Sequence, residues 1–326
     1  MMRLGIVGAG AWGTALAVVA AAGGPVRLWA REAEVAEQIR NSNENAMFLP
    51  GVSLPPEIAP TTHLSDLSDC DALVLVTPAQ HLRSTLNAID TAGRPLILCS
   101  KGIEAETQFL MSEVAEQCAP ASAIAVLSGP TFAAEVASGL PTAITFACAD
   151  DDVATPLITR IAQPGFRPYH SSDVIGAEVG GAVKNVLAIA CGVAAGLGLG
   201  QNARAALISR GFAEMSRFGL AKGARVETLS GLSGLGDLVL TCSSEASRNM
   251  SFGKALGEGA RAADLMADRL TVAEGVFTAP VLARAAEQLN VDMPITGVVL
   301  ALIEGRLDAR EAIDALLSRP LKEERI

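Results

Sequence analysis

A chain of 326 residues, half of them hydrophobic and 18% charged, can bury a sizeable core and is long enough for about two domains at ~150 residues each. Its formal charge of −10 and aromatic content of 4% exclude the basic, base-stacking surface of a nucleic-acid binder, so an anionic partner has to be met by a local cluster of Lys and Arg. Cys70, Cys99, Cys118, Cys148, Cys191 and Cys242 are scattered without a C-x-x-C pair, and read as small buried residues in a reducing compartment rather than disulfides or a metal site. The N-terminus runs into the first strand with no signal-peptide pattern, so a cytoplasmic protein is expected.

Gly5-Ile6-Val7 is a short apolar β-type run, Gly8-Ala9-Gly10-Ala11-Trp12-Gly13 has the spacing G-x-G-x-x-G, and Thr14 onward carries the small and aliphatic residues of a buried helix. Strand, glycines and helix form the order a dinucleotide site needs. Gly8 permits the tight turn, Gly10 leaves room for a pyrophosphate, Gly13 lets the helix lie close to the sheet, and the helix start offers N–H groups and a positive dipole end. The motif alone also fits a glycine-rich turn of any α/β protein; its place directly after a strand favours the nucleotide.

Pro25 to Arg31 forms a second strand. Its end, roughly 20 residues past the glycines, is where such a domain carries the acid that binds ribose hydroxyls. Arg31 stands there with Glu32 behind it, which favours a 2′-phosphate and NADP over strict NAD; alternatively, Arg31 only starts the helix Glu32 to Asn41 on its solvated face. Asn43 to Pro60, rich in Pro, Gly and Asn, is expected to be an irregular excursion. Asp71 to Pro78, Pro95 to Gly102 and Ala123 to Pro130 are apolar runs of the kind that form strands buried on both faces, separated by helices at Gln80 to Ile89 and Thr107 to Gln117. Pro141 to Cys148 and Gly165 to His170 extend the sheet.

This alternation predicts an α/β, doubly wound, mostly parallel sheet of Rossmann type over residues 1–173. Its ligand edge is marked by Thr77-Pro78, Ser100-Lys101 and Ser128-Gly129-Pro130-Thr131. From about Ser172 the pattern becomes helical: Val174 to Ala195, Ala203 to Phe218, Ser247 to Gly257, Val272 to Leu289, Ile295 to Ile303 and Ala309 to Leu317, giving an all-α domain over 174–326. Gly176 to Gly200 holds only two charged residues, but Lys184 near its middle and its recurrent glycines make it a buried core helix, not a membrane span. Lys322-Glu323-Glu324-Arg325 reads as a loose tail, and the apolar helices of the second domain suggest a homodimer.

Two lysines stand in apolar settings. Lys101 follows a buried strand at the ligand edge, and Lys184 lies in Gly180-Gly181-Ala182-Val183-Lys184-Asn185-Val186-Leu187. A buried ammonium needs an anionic partner or a functional task, unless the side chain snorkels to the helix edge. A third cluster, Gly231 to Ser244 with Asp237 at its centre and then Ser247-Arg248-Asn249, suits a phosphate held by N–H groups and a guanidinium, or else is an ordinary interhelical loop.

Taken in order, Gly8-Ala9-Gly10-Ala11-Trp12-Gly13-Thr14-Ala15, Ser100-Lys101-Gly102, Leu127-Ser128-Gly129-Pro130-Thr131-Phe132-Ala133, Val183-Lys184-Asn185-Val186, Gly234-Leu235-Gly236-Asp237-Leu238 with Thr241-Cys242, and Ser247-Arg248-Asn249 resemble the signatures of bacterial NAD(P)-dependent sn-glycerol-3-phosphate dehydrogenases. The resemblance covers almost the whole chain. It implies reversible reduction of dihydroxyacetone phosphate to sn-glycerol 3-phosphate, the step that feeds glycerophospholipid synthesis. It implies Lys184 as proton donor and acceptor, Lys101 polarising the same oxygen and touching the cofactor, and Asp237 orienting the lysines and a substrate hydroxyl. Ser247, Arg248 and Asn249 would hold the substrate phosphate, with Gly129 and Thr131 lining the substrate. Ala11, Trp12, Arg31, Ala133, Arg248 and Glu274 match cofactor-contact positions, with NADP(H) preferred and NAD(H) accepted. His63, His81 and His170 fall outside every motif, and no metal is expected. Two other readings stay open on the residues alone: a two-domain reductase of a hydroxy or keto acid, which has no need of Ser247-Arg248-Asn249, and a non-enzymatic NADP-binding redox sensor, which needs only the glycines.

Overall fold

The structure is a computed structural model that describes residues 1–267 and 273–319. Lys322 to Arg325, expected as a tail, and Val272, expected to open a helix, lie outside the described residues. The chain divides into two compact units. One comprises Met1–Ser100 with Phe109–Val174, the other Lys101–Gln108 with the chain from Ile175 onward.

In the first unit the strands are β1 (Leu4–Val7), β2 (Val26–Trp29), β3 (Glu44–Asn45), β4 (Leu49–Ser53), β5 (Ile58–Thr61), β6 (Ala72–Leu75), β7 (Leu96–Leu98), β8 (Ile124–Ser128), β9 (Thr142–Cys148) and β10 (Phe166–Ser171). Eight of them form one sheet in the order β10-β9-β8-β7-β6-β1-β2-β5. Every pairing in it is parallel except β8 with β9. Strands β1, β6 and β7 are buried along their whole length, as their unbroken aliphatic runs require. The chain leaves β1 toward β2 on one side and returns to β6 on the other, so the strand order reverses at β1, where a doubly wound sheet places its ligand. The helices of this unit are α1 (Ala11–Ala21), α2 (Ala33–Ser42), α3 (Leu82–Asn87), α4 (Met111–Cys118), α5 (Ala133–Ala137) and α6 (Asp151–Ile161).

Two stretches of this unit differ from expectation. The stretch Asn43 to Pro60 is ordered: β3 and β4 make an antiparallel hairpin, and β5 joins the main sheet as its edge, parallel to β2. An edge strand tolerates Pro60, whose missing N–H would break an interior ladder, and this is why the proline disguised it. Helix α6 carries Pro156 inside it, which hid its periodicity, but Asp150 caps it by accepting from the N–H groups of Asp152 and Val153. Arg160 on α6 is buried and donates to the carbonyls of Met2, Ala20 and Pro25, tying α6 to the entry of β1 and the exit of α1.

Beyond the non-helical segment Lys101–Gln108, the regular elements of the second unit are helices among its described residues: α7 (Val174–Gly196), α8 (Gly200–Lys222), α9 (Val226–Leu229), α10 (Asp237–Ser243), α11 (Arg248–Gly257), α12 (Ala262–Ala267), α13 (Glu274–Gln288), α14 (Pro294–Ile303) and α15 (Ala309–Leu317). Helix α7 is the one described helix long and apolar enough to cross a membrane, and 89% of its most apolar window is buried inside the protein, so it is a core helix. It packs backbone to backbone on α11. A Cβ on Gly192 would stand 2.1 Å from the Met250 carbonyl, and one on Gly253 2.0 Å from the Ile189 carbonyl. Glu214 on α8 is 1% exposed and caps α14, accepting from the N–H groups of Ile295 and Thr296 and from the Thr296 hydroxyl.

Gly192→Ala should therefore overpack the α7–α11 contact and destabilise the protein by about 1–3 kcal/mol. Gly297→Ala, on an exposed face of α14 with nothing within 4 Å of the new methyl, should stabilise it by about 0.5–1 kcal/mol through helix propensity. Thermal and urea unfolding of the two variants should give shifts of opposite sign.

Candidate active site

The glycine motif of the first unit is built as the spacing predicts. Gly8 sits at φ +118° directly after β1 and donates to the Trp29 carbonyl at 3.1 Å. A Cβ on Gly13 would stand 1.8 Å from the Gly8 carbonyl, so only glycine lets α1 start this close to the turn. A Cβ on Gly10 would meet nothing within 4 Å: the loop is tight on the protein side and open on the other, the shape a pyrophosphate requires. Gly10 is the N-cap residue of α1, with Ala11 and half-buried Trp12 in the first turn. At the neighbouring strand ends, the Thr77 and Ser128 hydroxyls are buried without a hydrogen-bond partner, as groups awaiting a polar ligand would be. These features fit a bound dinucleotide.

Arg31, just past β2, has a side chain 75% exposed and donates from Nε and Nη2 to Glu32 Oε1 at 3.0 and 2.7 Å. Gly129 and Thr131 follow β8, with Thr131 Oγ1 donating to the Gly129 carbonyl, and Ala133 opens α5. The sequence reading missed Asn45. Carried on β3 and fully buried, it donates from Nδ2 to the Ala9 carbonyl and to Thr14 Oγ1, both at 2.8 Å. Its only signal was an Asn inside a stretch read as loop.

In the second unit three residues far apart in sequence converge. Asp237, the first residue of α10, is 0% exposed. Its Oδ1 accepts from Lys184 Nζ at 2.6 Å and its Oδ2 from Lys101 Nζ at 2.8 Å. Lys184 Nζ also donates to Thr241 Oγ1 at 3.0 Å, one turn along α10 from Asp237. Helix α7 can bring Lys184 here because Gly180, one turn earlier on the same face, lies against the π-type turn Leu232–Gly236 that leads to Asp237: a Cβ at Gly180 would be 2.2 Å from the Ser233 carbonyl. Lys184 is therefore paired in the interior and does not snorkel.

Two cations on one carboxylate leave the cluster with an excess positive charge, and the protons respond. Burial, helped by the charge of Lys101 and opposed by Asp237, lowers Lys184 to about 8. Burial also disfavours the Lys101 charge, but the charge and hydrogen bond of Asp237 outweigh it and the net shift is upward. Lys101 thus stays an ammonium while Lys184 is placed to exchange a proton near neutral pH.

Beside this cluster, Asn185 Oδ1 accepts from Asn249 Nδ2 at 3.0 Å, and Asn249 Oδ1 accepts from the Gly275 N–H at 2.9 Å. Asn185 Nδ2 reaches Glu274 Oε2 at 3.5 Å. Burial raises Glu274, against the nearby charges of Arg248, Lys101 and Lys184. Ser247 is the N-cap of α11, its Oγ accepting from the Met250 N–H, and Arg248 follows with an exposed side chain. The structure thus gathers Lys101, Lys184 and Asp237 into one hydrogen-bonded set, and it links Asn249 and Glu274 through Asn185. Thr241 and Asn185, quoted in the sequence motifs without a role, gain one.

Comparison with known proteins places this geometry. The family model for the NAD-dependent glycerol-3-phosphate dehydrogenase N-terminus matches residues 3–154, and that for its C-terminus residues 173–314. A glycerol-3-phosphate dehydrogenase (NAD(P)+) from Novosphingobium aromaticivorans is 62% identical over 324 residues, covering 99% of this chain and 98% of that one. The crystal structure of a glycerol-3-phosphate dehydrogenase from Coxiella burnetii is similar with TM-score 0.93 and 37% identity, over 98% of this chain and 99% of the other. A ketopantoate reductase from Ralstonia eutropha, 14% identical with TM-score 0.61 over 97% of this chain and 100% of its own, shares the fold alone. With both family models matched in order along one chain, and with full-length relatives of high identity, the chain belongs to the NAD-dependent glycerol-3-phosphate dehydrogenase family.

Proposed function

We propose that this chain reduces dihydroxyacetone phosphate reversibly to sn-glycerol 3-phosphate with NADPH or NADH, using Lys184 as the acid and base. One observation carries the reading: Lys184 and Lys101 share the buried carboxylate of Asp237. When bound, the nicotinamide would supply a hydride, one hydrogen nucleus with two electrons, to C2 of the substrate. The oxygen left on C2 then needs a proton, which Lys184 Nζ gives, and in the reverse direction neutral Lys184 takes it back. Lys101, held charged, stabilises the negative oxygen as it forms. Asp237 aims both ammonium groups and touches no reacting atom in this account. Arg248 and Asn249 are assigned to the substrate phosphate, Arg248 by its charge and Asn249 through an amide already oriented by Asn185 and Gly275. Ser247, busy as a helix cap, supports them from the same turn.

The glycine loop, Ala11, Trp12, Arg31 and Ala133 are assigned to the cofactor. Preference for NADP rests on Arg31: its exposed pair with Glu32 is weak, so the guanidinium can turn to a 2′-phosphate at little cost. The same reading takes the protein to be a cytoplasmic homodimer, supported by exposed apolar side chains on the helical unit such as Leu220 and Phe277.

Steady-state kinetics test the assignments. Lys184→Ala should keep cofactor binding and lower turnover by ~10²-fold or more; a fully active variant would remove Lys184 from this role. Because Lys184 is lowered to about 8, reduction, which needs its proton, should fall as pH rises through that value. Oxidation, which needs the neutral amine, should rise over the same interval. Profiles of turnover in both directions that run parallel would contradict the assignment. Arg31→Ala should raise KM for NADPH by about 10-fold, the worth of a charge-assisted hydrogen bond, and leave that for NADH nearly unchanged.

A further inference from the structure

We infer that Asn45 is a positioning residue for cofactor binding, acting through the Ala9–Gly10 peptide. The inference rests on reading the glycine loop as the pyrophosphate cradle.

A trans peptide is planar, with its C=O and N–H on opposite sides. The Ala9 carbonyl points inward, where Asn45 Nδ2 donates to it at 2.8 Å and Thr14 Oγ1 at 3.3 Å. The N–H of the same peptide, which belongs to Gly10, must then point away from Asn45. Gly10 is the residue whose missing Cβ would meet nothing within 4 Å. Holding one carbonyl thus aims one donor at the open side of the loop, where the phosphates would approach the N-terminus of α1.

Turning this peptide over changes ψ of Ala9 and φ of Gly10, and Gly10 tolerates φ values other residues avoid, so the peptide has little resistance of its own. Something outside the loop has to hold it. Asn45 does so with both amide hydrogens, the second going to Thr14 Oγ1 at 2.8 Å, and is itself fixed by the Phe48 N–H donating to its Oδ1 at 3.2 Å. The hairpin of β3 and β4 carries it, anchored to α2 by the Ala46 N–H donating to Gln38 Oε1 and braced internally by the Gly51 N–H donating to Glu44 Oε1. Asn45 is 0% exposed, so its role is to orient the loop and not to touch a ligand. The ordered hairpin, in a stretch whose composition suggests a loop, exists on this view to deliver that amide.

The test is the dissociation constant of NADH and NADPH for the purified protein, read from cofactor fluorescence, together with its melting temperature without cofactor. Asn45→Asp keeps the acceptor for the Phe48 N–H but cannot donate to Ala9; Asn45→Ala removes both. Each should weaken NADH and NADPH by about 10-fold and by the same factor, because the pyrophosphate is common to both, with KM for dihydroxyacetone phosphate unchanged. Folded variants that bind both cofactors as tightly as the parent overturn the inference. So does a loss confined to NADPH, which would place the effect at the ribose, or a loss with Asp and none with Ala, which would be charge repulsion. If neither variant folds, Thr14→Val, which removes the second anchor of the same amide, carries the test with the same sign. A parent protein that binds neither cofactor would instead overturn the reading of the loop itself.

Discussion

Asp237 is the constraint on which the helical unit depends. A carboxylate with no exposure to water is stable as an anion only if its partners are charged and close, and two ammonium groups within 2.8 Å provide that. The need is mutual, since Lys184 is buried on a long apolar helix and would be intolerable there without the carboxylate. Three segments must therefore arrive together. Helix α7 approaches through Gly180, α10 begins on Asp237 itself, and residues 101–108 group with the helices although the strand before them belongs to the sheet. Removing Asp237 would leave two ammonium groups without their shared counter-charge, so the packing of this unit depends on that one carboxylate.

The sheet unit shows the same logic in neutral form. There a buried amide orients a peptide, where in the helical unit a buried carboxylate orients two cations. The cost of error differs accordingly: an unmade neutral hydrogen bond costs about 1–3 kcal/mol, whereas a buried charge left alone costs about 3–5 kcal/mol. Both arrangements draw the orienting residue from a distant part of the chain. Asn45 stands 36 residues from Ala9, and Asp237 stands 53 from Lys184 and 136 from Lys101. Local sequence near the functional atoms cannot supply either.

Helix α7 reconciles two demands that look incompatible. It is apolar enough to resemble a membrane segment, yet it carries Lys184 and Asn185 in its middle, and both are satisfied by neighbours on α10, α11 and α13. Its glycines allow those neighbours to come close. Gly180 admits the turn before α10, and Gly192 admits α11, so the backbone contacts that define the core also deliver the partners of the two polar residues.

How much of this was legible in advance follows from the range of each interaction. Strand β1, the glycines and α1 are contiguous, and their order and spacing encode the cradle directly; the apolar runs that became β6, β7 and β8 were equally plain. Strand β5 and helix α6 were not, because Pro60 and Pro156 break the local pattern while their context, a sheet edge and a capped helix, tolerates them. Glu214 was not singled out in the sequence, because its task, capping α14, exists only once α14 is set against it. From the sequence alone came the fold class, the family resemblance with the place it gives Asp237, and the identity of Lys101 and Lys184 as groups too costly to bury without purpose. Tertiary structure supplied the geometry: that the two lysines divide the two oxygens of the buried Asp237 carboxylate, that burial and the charge of Lys101 lower Lys184, and that Asn45 donates to the Ala9 carbonyl. The physical reason is that residue type sets what a group must satisfy, whereas distance and burial, which the fold determines, set which partner satisfies it and at what pH.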